Sequence, residues 1–117
     1  MSHEDRQTLI NAYFTAMDTE DLGHLEDALA TTFVYDSLGG PLEGFSGLET
    51  YMTELRGLSN TTHEIAQTVH GETASAVEGT VSGDSGDGSV SARFCNVFEF
   101  DDTDDAIARI AVYLNDA

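Results

Sequence analysis

Three polar side chains, Tyr13, Asp36 and Asn96, lie where the sequence otherwise predicts an apolar interior. Tyr13 belongs to an amphipathic segment, Asp36 ends a β-rich segment, and Asn96 stands alone among aromatic residues. A carboxylate can accept a proton, while a phenol and an amide can donate hydrogen bonds to a developing oxyanion. In an apolar pocket, this set of groups suits proton abstraction next to a carbonyl group. The surrounding elements must then bring the three side chains together.

Alternation along a strand decides which way Asn96 points. Residues two apart share a face, so Asn96 shares its face with Phe94 and Phe98. A buried amide without a partner costs about 1–3 kcal/mol, and Asn96 must therefore bond to something. The same alternation places Val34 and Asp36 on one side of their strand, with Asp36 at the end where a cup would open.

Helices are predicted in the N-terminal half of the chain. The first has Ser2 and Asp5 as a capping box and carries its apolar side chains at helical spacing: Leu9, Ile10, Tyr13, Phe14 and Met17. The second is short, with Asp21 as its N-cap and Leu22, Leu25 and Leu29 on one face. Ser46 and Glu49 form a capping box for the third, which ends near Gly57.

Strands account for most of the remaining sequence. Thr31–Asp36 is rich in β-formers and is followed by a glycine-rich loop. The last half contains four predicted long strands: Thr62–Val69, Thr73–Val81, Ser89–Phe100 and Ala106–Leu114. Short turns rich in Gly and Asp join them, which favours antiparallel pairing. The length of 117 residues and the order of elements predict one α+β domain over 1–117.

Five segments carry a resemblance to a known family: Tyr13-Phe14-Thr15-Ala16-Met17, Asp21-Leu22, Phe33-Val34-Tyr35-Asp36, Phe45-Ser46-Gly47 and Asn96-Val97-Phe98-Glu99-Phe100. The sequence resembles the nuclear transport factor 2-like superfamily, in its SnoaL-like and ketosteroid isomerase-like branches. The resemblance implies a cone-shaped, strongly curved antiparallel sheet wrapped around three helices, a cystatin-like α+β barrel. It also implies a hollow that binds a small apolar molecule, and a homodimer formed through the outer sheet face.

The same resemblance implies roles for the three polar residues. In the ketosteroid isomerase-like branch, Tyr13 corresponds to the tyrosine that donates to the oxyanion, Asp36 to the general base and Asn96 to the second donor. That branch uses a protonated carboxylic acid as second donor, whereas an amide donates at any pH. The side chains expected to contact the ligand are Met17, Tyr51, Phe94 and Phe98. A mouth filled by Met17, Tyr51 or Phe98 would leave no room, whereas a cavity of about 300 Å³ or more favours an enzyme.

His63 supports an alternative chemistry. The run Thr61-Thr62-His63-Glu64 is similar to the start of the corresponding strand in SnoaL-like and scytalone dehydratase-like proteins, where a pocket histidine acts as acid or base. A dehydratase would use His63 with Asp18 or Asp36 holding a water or hydroxyl.

A third alternative is a non-catalytic ligand-binding or dimerisation module, in which Tyr13 packs in the core, Asp36 forms a turn and Asn96 is a satisfied core amide.

Metal and cofactor sites have little support in the sequence. It contains no His-x-x-x-His pair, its single cysteine, Cys95, precludes an intrachain disulfide, and its aspartate-rich turns lack the spacing of a calcium loop. The glycines near Gly86 precede no helix, so no nucleotide cofactor is expected. We expect neither a metal nor a cofactor.

Charge is the most unusual property of the composition. The chain has 22 acidic and 4 basic residues, all four of them arginine, for a net charge of −18. Nucleic acid and anionic membrane surfaces require cationic partners, so neither is expected. The N-terminus lacks the apolar run of a signal peptide or membrane span. These features predict a cytoplasmic protein from a high-salt cell.

Salt should therefore stabilise this protein. Molar salt shortens the Debye length to about 3 Å and screens the repulsion among the carboxylates. We expect the melting temperature to rise from dilute buffer to molar salt, as followed by circular dichroism. An unchanged melting temperature would instead indicate an ordinary acidic protein.

Overall fold

Helices cover one face of a six-stranded sheet in the computed structural model, which describes residues 3–37, 40–101 and 106–116. The helical elements are α1 (His3–Thr19), a 3₁₀ turn (Leu22–Leu25) and α2 (Gly44–Thr50), which continues as a π-helical turn (Tyr51–Leu55). The cap at Asp21 is confirmed, because its carboxylate accepts from the Gly23 N–H at 2.9 Å. The third helix begins at Gly44 and not at Ser46, so the capping box predicted there is wrong.

Six strands follow the chain as β1 (Leu29–Ser37), β2 (Gly40–Glu43), β3 (Ser59–His70), β4 (Ala74–Ser85), β5 (Gly88–Phe100) and β6 (Ile107–Asp116). Their order in the sheet is β2-β1-β6-β5-β4-β3, and all neighbours are antiparallel except β1 and β6. The four long strands are confirmed. Leu29 begins β1 instead of completing the second helix, and β2 lies in the segment predicted as a loop. The proposed cap residue Ser2 and the turn residues 102–105 lie outside the described part of the chain.

A β-bulge bends the sheet between β3 and β4. The register shifts between Ile65 and Gln67, so β3 carries one extra residue opposite β4. Gly79 lies at this point, where a Cβ atom would collide with the carbonyl oxygen of Glu64. Glycine permits this close approach of two backbones. The sheet is curved but does not close.

The core lies between α1 and the inner face of the sheet. The ring of Tyr13 meets that of Phe98 at 5.4 Å, and Phe14 meets Phe94 at 5.6 Å, each measured between ring centroids. These aromatic contacts fix α1 across β5. The α+β cone predicted from the sequence is confirmed. Among the described helices, none is both long and apolar enough to cross a bilayer.

Candidate functional site

A cavity of about 400 Å³ opens between α1, the end of α2 and the inner face of the sheet. Its lining is mostly apolar and aromatic: Tyr13, Met17, Tyr35, Ser37, Tyr51, Leu55, Arg56, Gly57, Leu58, His63, Val81, Phe94, Asn96, Val112 and Leu114. This volume lies within the range of small-molecule sites, about 300–1,000 Å³. The cone therefore encloses enough space for a ligand.

Most of the predicted site residues reach this cavity. Six of them line it: Tyr13, Met17, Tyr51, His63, Phe94 and Asn96. Phe98 does not line it, because its ring is fully buried against Tyr13 and Phe14. Phe98 supports the cavity wall from within the core, which corrects its prediction as a ligand contact.

Asp36 lies on the opposite face of the sheet. Its Oδ2 accepts from Arg109 Nη2 at 3.0 Å, and Arg109 Nη1 donates to Glu99 Oε2 at 2.6 Å. Strand alternation explains this placement, because the buried rings of Phe33 and Tyr35 occupy the inward positions of β1. The expectation that Asp36 projects into the cavity is wrong.

Loss of the Asp36 charge should have little effect on folding. The side chains of Asp36 and Arg109 are 39% and 32% exposed, and exposed ion pairs contribute less than about 1 kcal/mol. Asp36→Asn should therefore lower the free energy of unfolding by less than about 1 kcal/mol in urea denaturation. Asp87→Asn, in an exposed turn, is the matched control. A loss several times larger would mean that the Arg109 pair anchors the sheet.

His63 lines the cavity and pairs with a carboxylate that is not part of the lining. His63 Nδ1, on β3, lies 2.5 Å from Oδ1 of Asp18 near the end of α1. Oδ2 of Asp18 also accepts from the backbone N–H of His63 at 3.1 Å. Because a carboxylate can only accept, Nδ1 carries the proton and Nε2 keeps its lone pair. The imidazole is thus held with one basic nitrogen available.

Burial sets the protonation state of His63. Its side chain is 10% exposed and packs against the rings of Phe14 and Phe94, with centroids at 5.0 and 5.3 Å. Desolvation lowers the pKa of His63 below its ordinary value of 6.5, and the hydrogen bond to Asp18 opposes part of that shift. The imidazole is neutral at neutral pH and can accept a proton.

Two tyrosines supply hydrogen-bond donors beside the imidazole. The hydroxyls of Tyr13 and Tyr35 lie 3.0 Å apart. Burial raises the pKa of both phenols, and the hydrogen bond from Tyr35 partly lowers the pKa of Tyr13 again. Both hydroxyls therefore stay protonated. Two hydroxyls carry two protons and their mutual bond uses one, so one O–H of the pair stays available for a ligand.

Asn96 presents an unsatisfied amide to the same cavity. The residue is 2% exposed, and its Oδ1 has no hydrogen-bond partner among the described residues. An unpaired buried carbonyl oxygen is costly, so Oδ1 of Asn96 needs a hydrogen-bond donor from inside the cavity, which a water or a ligand can supply.

Sequence reasoning missed nine of the fifteen lining residues, Tyr35 and Arg56 among them, and left Asp18 as one of two options. Tyr35 shares its face with Phe33, and this aromatic alternation was the available signal. Asp18 follows Phe14 by four residues, which places both on one face of α1. No local sequence pattern indicates that Arg56 lines the cavity. No group of three metal-ligating side chains occurs among the described residues.

Solved structures with the same fold are numerous. An LEH-like epoxide hydrolase from M. tuberculosis is 24% identical, with a TM-score of 0.74 over 92% of this chain and 76% of that one. An NTF2-like protein of unknown function from Burkholderia pseudomallei is 16% identical, with a TM-score of 0.84 over 98% and 92%. A protein with a ketosteroid isomerase-like fold from Catenulispora acidiphila, in complex with trimethylamine, is 12% identical, with a TM-score of 0.77 over 90% and 83%.

These identities are low enough that the structural likeness shows the fold alone. No curated protein matches the sequence significantly. Residues 10–110 match the SnoaL-like domain, which covers most of the chain. The curved sheet and the covering helices have the fold of the NTF2-like protein, and the match over residues 10–110 shows that the chain belongs to the SnoaL-like domain family.

Proposed function

We propose that the cavity carries out cofactor-free proton transfer on a small, apolar carbonyl compound. The observation that carries the proposal is that His63, on the wall of an apolar cavity of about 400 Å³, is paired at 2.5 Å with Asp18. His63 takes the role of general base that the sequence assigned to Asp36. Its neutral state and its oriented ring are the two properties that a base requires.

The chemistry follows from the position of the donors. His63 Nε2 removes a proton from the carbon next to the carbonyl group, and the electron pair of that C–H bond moves onto the carbonyl oxygen. Tyr13 donates its O–H to the resulting enolate oxygen, with Tyr35 donating to Tyr13 behind it. Where a carbon–carbon double bond lies β,γ to the carbonyl, the enolate is a dienolate. Return of the proton from the imidazolium to its γ-carbon moves the double bond to the α,β position and gives an isomer of the substrate. Neutral buried donors are suited to this task because they are fixed before charge develops.

The composition of the cavity supports a small and uncharged substrate. Its wall is mostly apolar, and the net charge of −18 repels anions at long range. Membership of the SnoaL-like family agrees with a small-molecule pocket, and the epoxide hydrolase among the similar structures acts, by its name, on an epoxide.

Dehydration is the second candidate, and Asn96 favours it. Its unpartnered Oδ1 calls for a donor, which a substrate hydroxyl would supply. In this case His63 removes the proton next to the carbonyl, and the imidazolium returns it to the departing hydroxyl group. A carbon–carbon double bond and water are formed, and no cofactor is consumed.

Exchange of carbon-bound hydrogen tests both candidates, because each begins with the same proton abstraction. The α-protons of 2-tetralone, a small apolar ketone, would be followed by NMR in D₂O with and without protein. We expect the protein to accelerate exchange above the buffer rate. Binding of the ketone without any acceleration would instead identify a non-catalytic ligand-binding module.

We also propose a homodimer formed through the outer face of the sheet. Tyr113 and Val69 are 57% and 56% exposed there, and Tyr113 lies opposite Cys95 in the register of β5 and β6. Exposed apolar side chains beside Arg93 resemble an interface with a polar component. Light scattering in molar salt should return twice the chain mass of 12.6 kDa, and Tyr113→Asp should shift it toward the monomer. A monomer mass for the unmodified protein would exclude this interface.

The working environment that we propose is a high-salt cytoplasm. The carboxylates responsible for the net charge of −18 are compatible with a stable fold where salt screens them. The chemistry proposed for the cavity does not depend on the salt concentration, because the cavity is lined mainly by uncharged side chains.

A further inference from the structure

A chain of hydrogen bonds leads from Arg56 to the Asp18 carboxylate. Arg56 Nη2 donates to Oγ1 of Thr61 at 2.5 Å, and Thr61 Oγ1 lies 2.9 Å from Asp18 Oδ1, the oxygen that also contacts His63 Nδ1. The hydroxyl has one proton, which cannot go to Arg56, because Arg56 can only donate. Of its two acceptors, the carboxylate is closer than the carbonyl oxygen of Met17, which lies at 3.4 Å.

Arg56 is itself fixed at several points. Its Nη1 donates to the carbonyl oxygen of Met17 at 3.0 Å, next to Asp18, and lies 3.3 Å from Sδ of Met52. The backbone N–H of Arg56 closes the π-helical turn by donating to Tyr51 at 2.8 Å. The guanidinium therefore joins the end of α2 to the last turn of α1, where it can set the position of the carboxylate.

We propose that Arg56 and Thr61 are positioning residues that hold Asp18, and through it the Nδ1–H tautomer of His63. Thr61 is 4% exposed, so no water shell competes for its hydroxyl. With Thr61 and the His63 backbone N–H as donors, the carboxylate is held on both oxygens and keeps one orientation. The effect of these residues on catalysis rests on the proposed function. Their effect on the tautomer of His63 does not, because the tautomer exists without substrate.

The charge of Arg56 has a second effect on the imidazole. The other titratable groups near His63 are Asp18, which pairs with it, and Arg56, Tyr13, Tyr35 and Tyr51 of the cavity lining. Asp18 and Arg56 are the charges that act on His63. The Arg56 cation lowers the pKa of His63, whereas Asp18 raises it. Removal of the arginine charge should therefore raise the pKa of the imidazole.

The test is an NMR titration of the ligand-free protein with ¹⁵N-labelled histidine, which reports the tautomer and the protonation midpoint of His63. The unmodified protein should show the Nδ1–H tautomer alone. Thr61→Val and Arg56→Gln should both give a mixture of tautomers, and Arg56→Gln should also raise the midpoint. Thr61→Ser, which keeps the hydroxyl, should restore the single tautomer. Arg93→Gln, on the outer face, is the control for loss of an arginine charge.

The outcomes separate this inference from the proposed function. A single Nδ1–H tautomer in folded Thr61→Val and Arg56→Gln would overturn the positioning role, even if ketone exchange is observed. A raised midpoint without any change of tautomer would overturn it as well, because Arg56 would then act through charge alone. If Arg56→Gln does not fold, Thr61→Val decides by the same readout. Where exchange occurs, Thr61→Val should slow it about tenfold to a hundredfold, with Thr61→Ser close to the unmodified rate.

Discussion

His63→Gln is expected to slow α-proton exchange of 2-tetralone by about 10²–10⁴-fold, the usual contribution of a positioned general base. Glutamine fills similar space and keeps a polar end, but its amide cannot accept a proton at neutral pH. Binding of the ketone should change little, because the cavity wall is otherwise apolar. The measurement is the exchange rate at saturating ketone, with the dissociation constant obtained separately from ligand chemical shifts.

His24→Gln is the matched control for this variant. His24 lies in the 3₁₀ turn with 46% of its side chain exposed, so His24→Gln should leave both the exchange rate and ketone binding unchanged.

The exchange rate of the unmodified protein should fall on acidification, because the imidazole of His63 must be neutral to act. Since the pKa of His63 lies below 6.5, the midpoint of that fall should lie below 6.5. Exchange by His63→Gln within a few-fold of the unmodified rate would assign the base to another group.

The fold could be predicted because its signals are local or periodic. The alternation of Phe94, Asn96 and Phe98 on β5 and the helical spacing of Tyr13 and Met17 each identify a face of one element. Such patterns survive in the folded chain because burial of an apolar face decides the packing. These patterns directed Tyr13 and Asn96 toward the interior, and the family resemblance added His63.

The orientation of β1 could not be derived in the same way. Strand alternation correctly places Val34 and Asp36 on one face of β1 and Phe33 and Tyr35 on the other. It does not say which of these two faces points inward. The inward group is Phe33 and Tyr35, because two large aromatic rings bury more apolar area than one valine. The family resemblance pointed to Asp36, and the parity of the aromatic residues was the better guide.

The carboxylate that pairs with His63 lies far from it in the sequence. Asp18 and His63 are 45 residues apart, and Arg56 and Met17 are 39 apart. Pairings of this kind depend on how α1 crosses β3, a property of the tertiary packing that no short pattern records. Sequence reasoning could therefore name Asp18 as an option but could not choose it over Asp36.

Tyr13→Phe is the second variant with a large expected effect. Removal of one preorganised oxyanion donor costs about 10²–10³-fold in rate, and Tyr13 is the donor that we propose for the substrate. Tyr35→Phe should cost less, about tenfold, because it removes only the donor behind Tyr13. The phenylalanine keeps the apolar contacts of each ring, including the packing of Tyr13 on Phe98 at 5.4 Å. Ketone exchange measured for both single variants and the double variant gives the comparison.

The relative rate losses in Tyr13→Phe and Tyr35→Phe show which hydroxyl donates to the substrate. The ring centroids of Tyr13 and Tyr35 are 6.3 Å apart, so Tyr35 would present its hydroxyl to a ligand from a different position. In the double variant, the loss should be close to that of Tyr13→Phe alone, since the supporting donor has no role once Tyr13 lacks its hydroxyl. Equal losses that multiply in the double variant would mean that both hydroxyls bind the oxyanion directly. A larger loss for Tyr35→Phe than for Tyr13→Phe would reverse the assignment and make Tyr35 the substrate-facing donor.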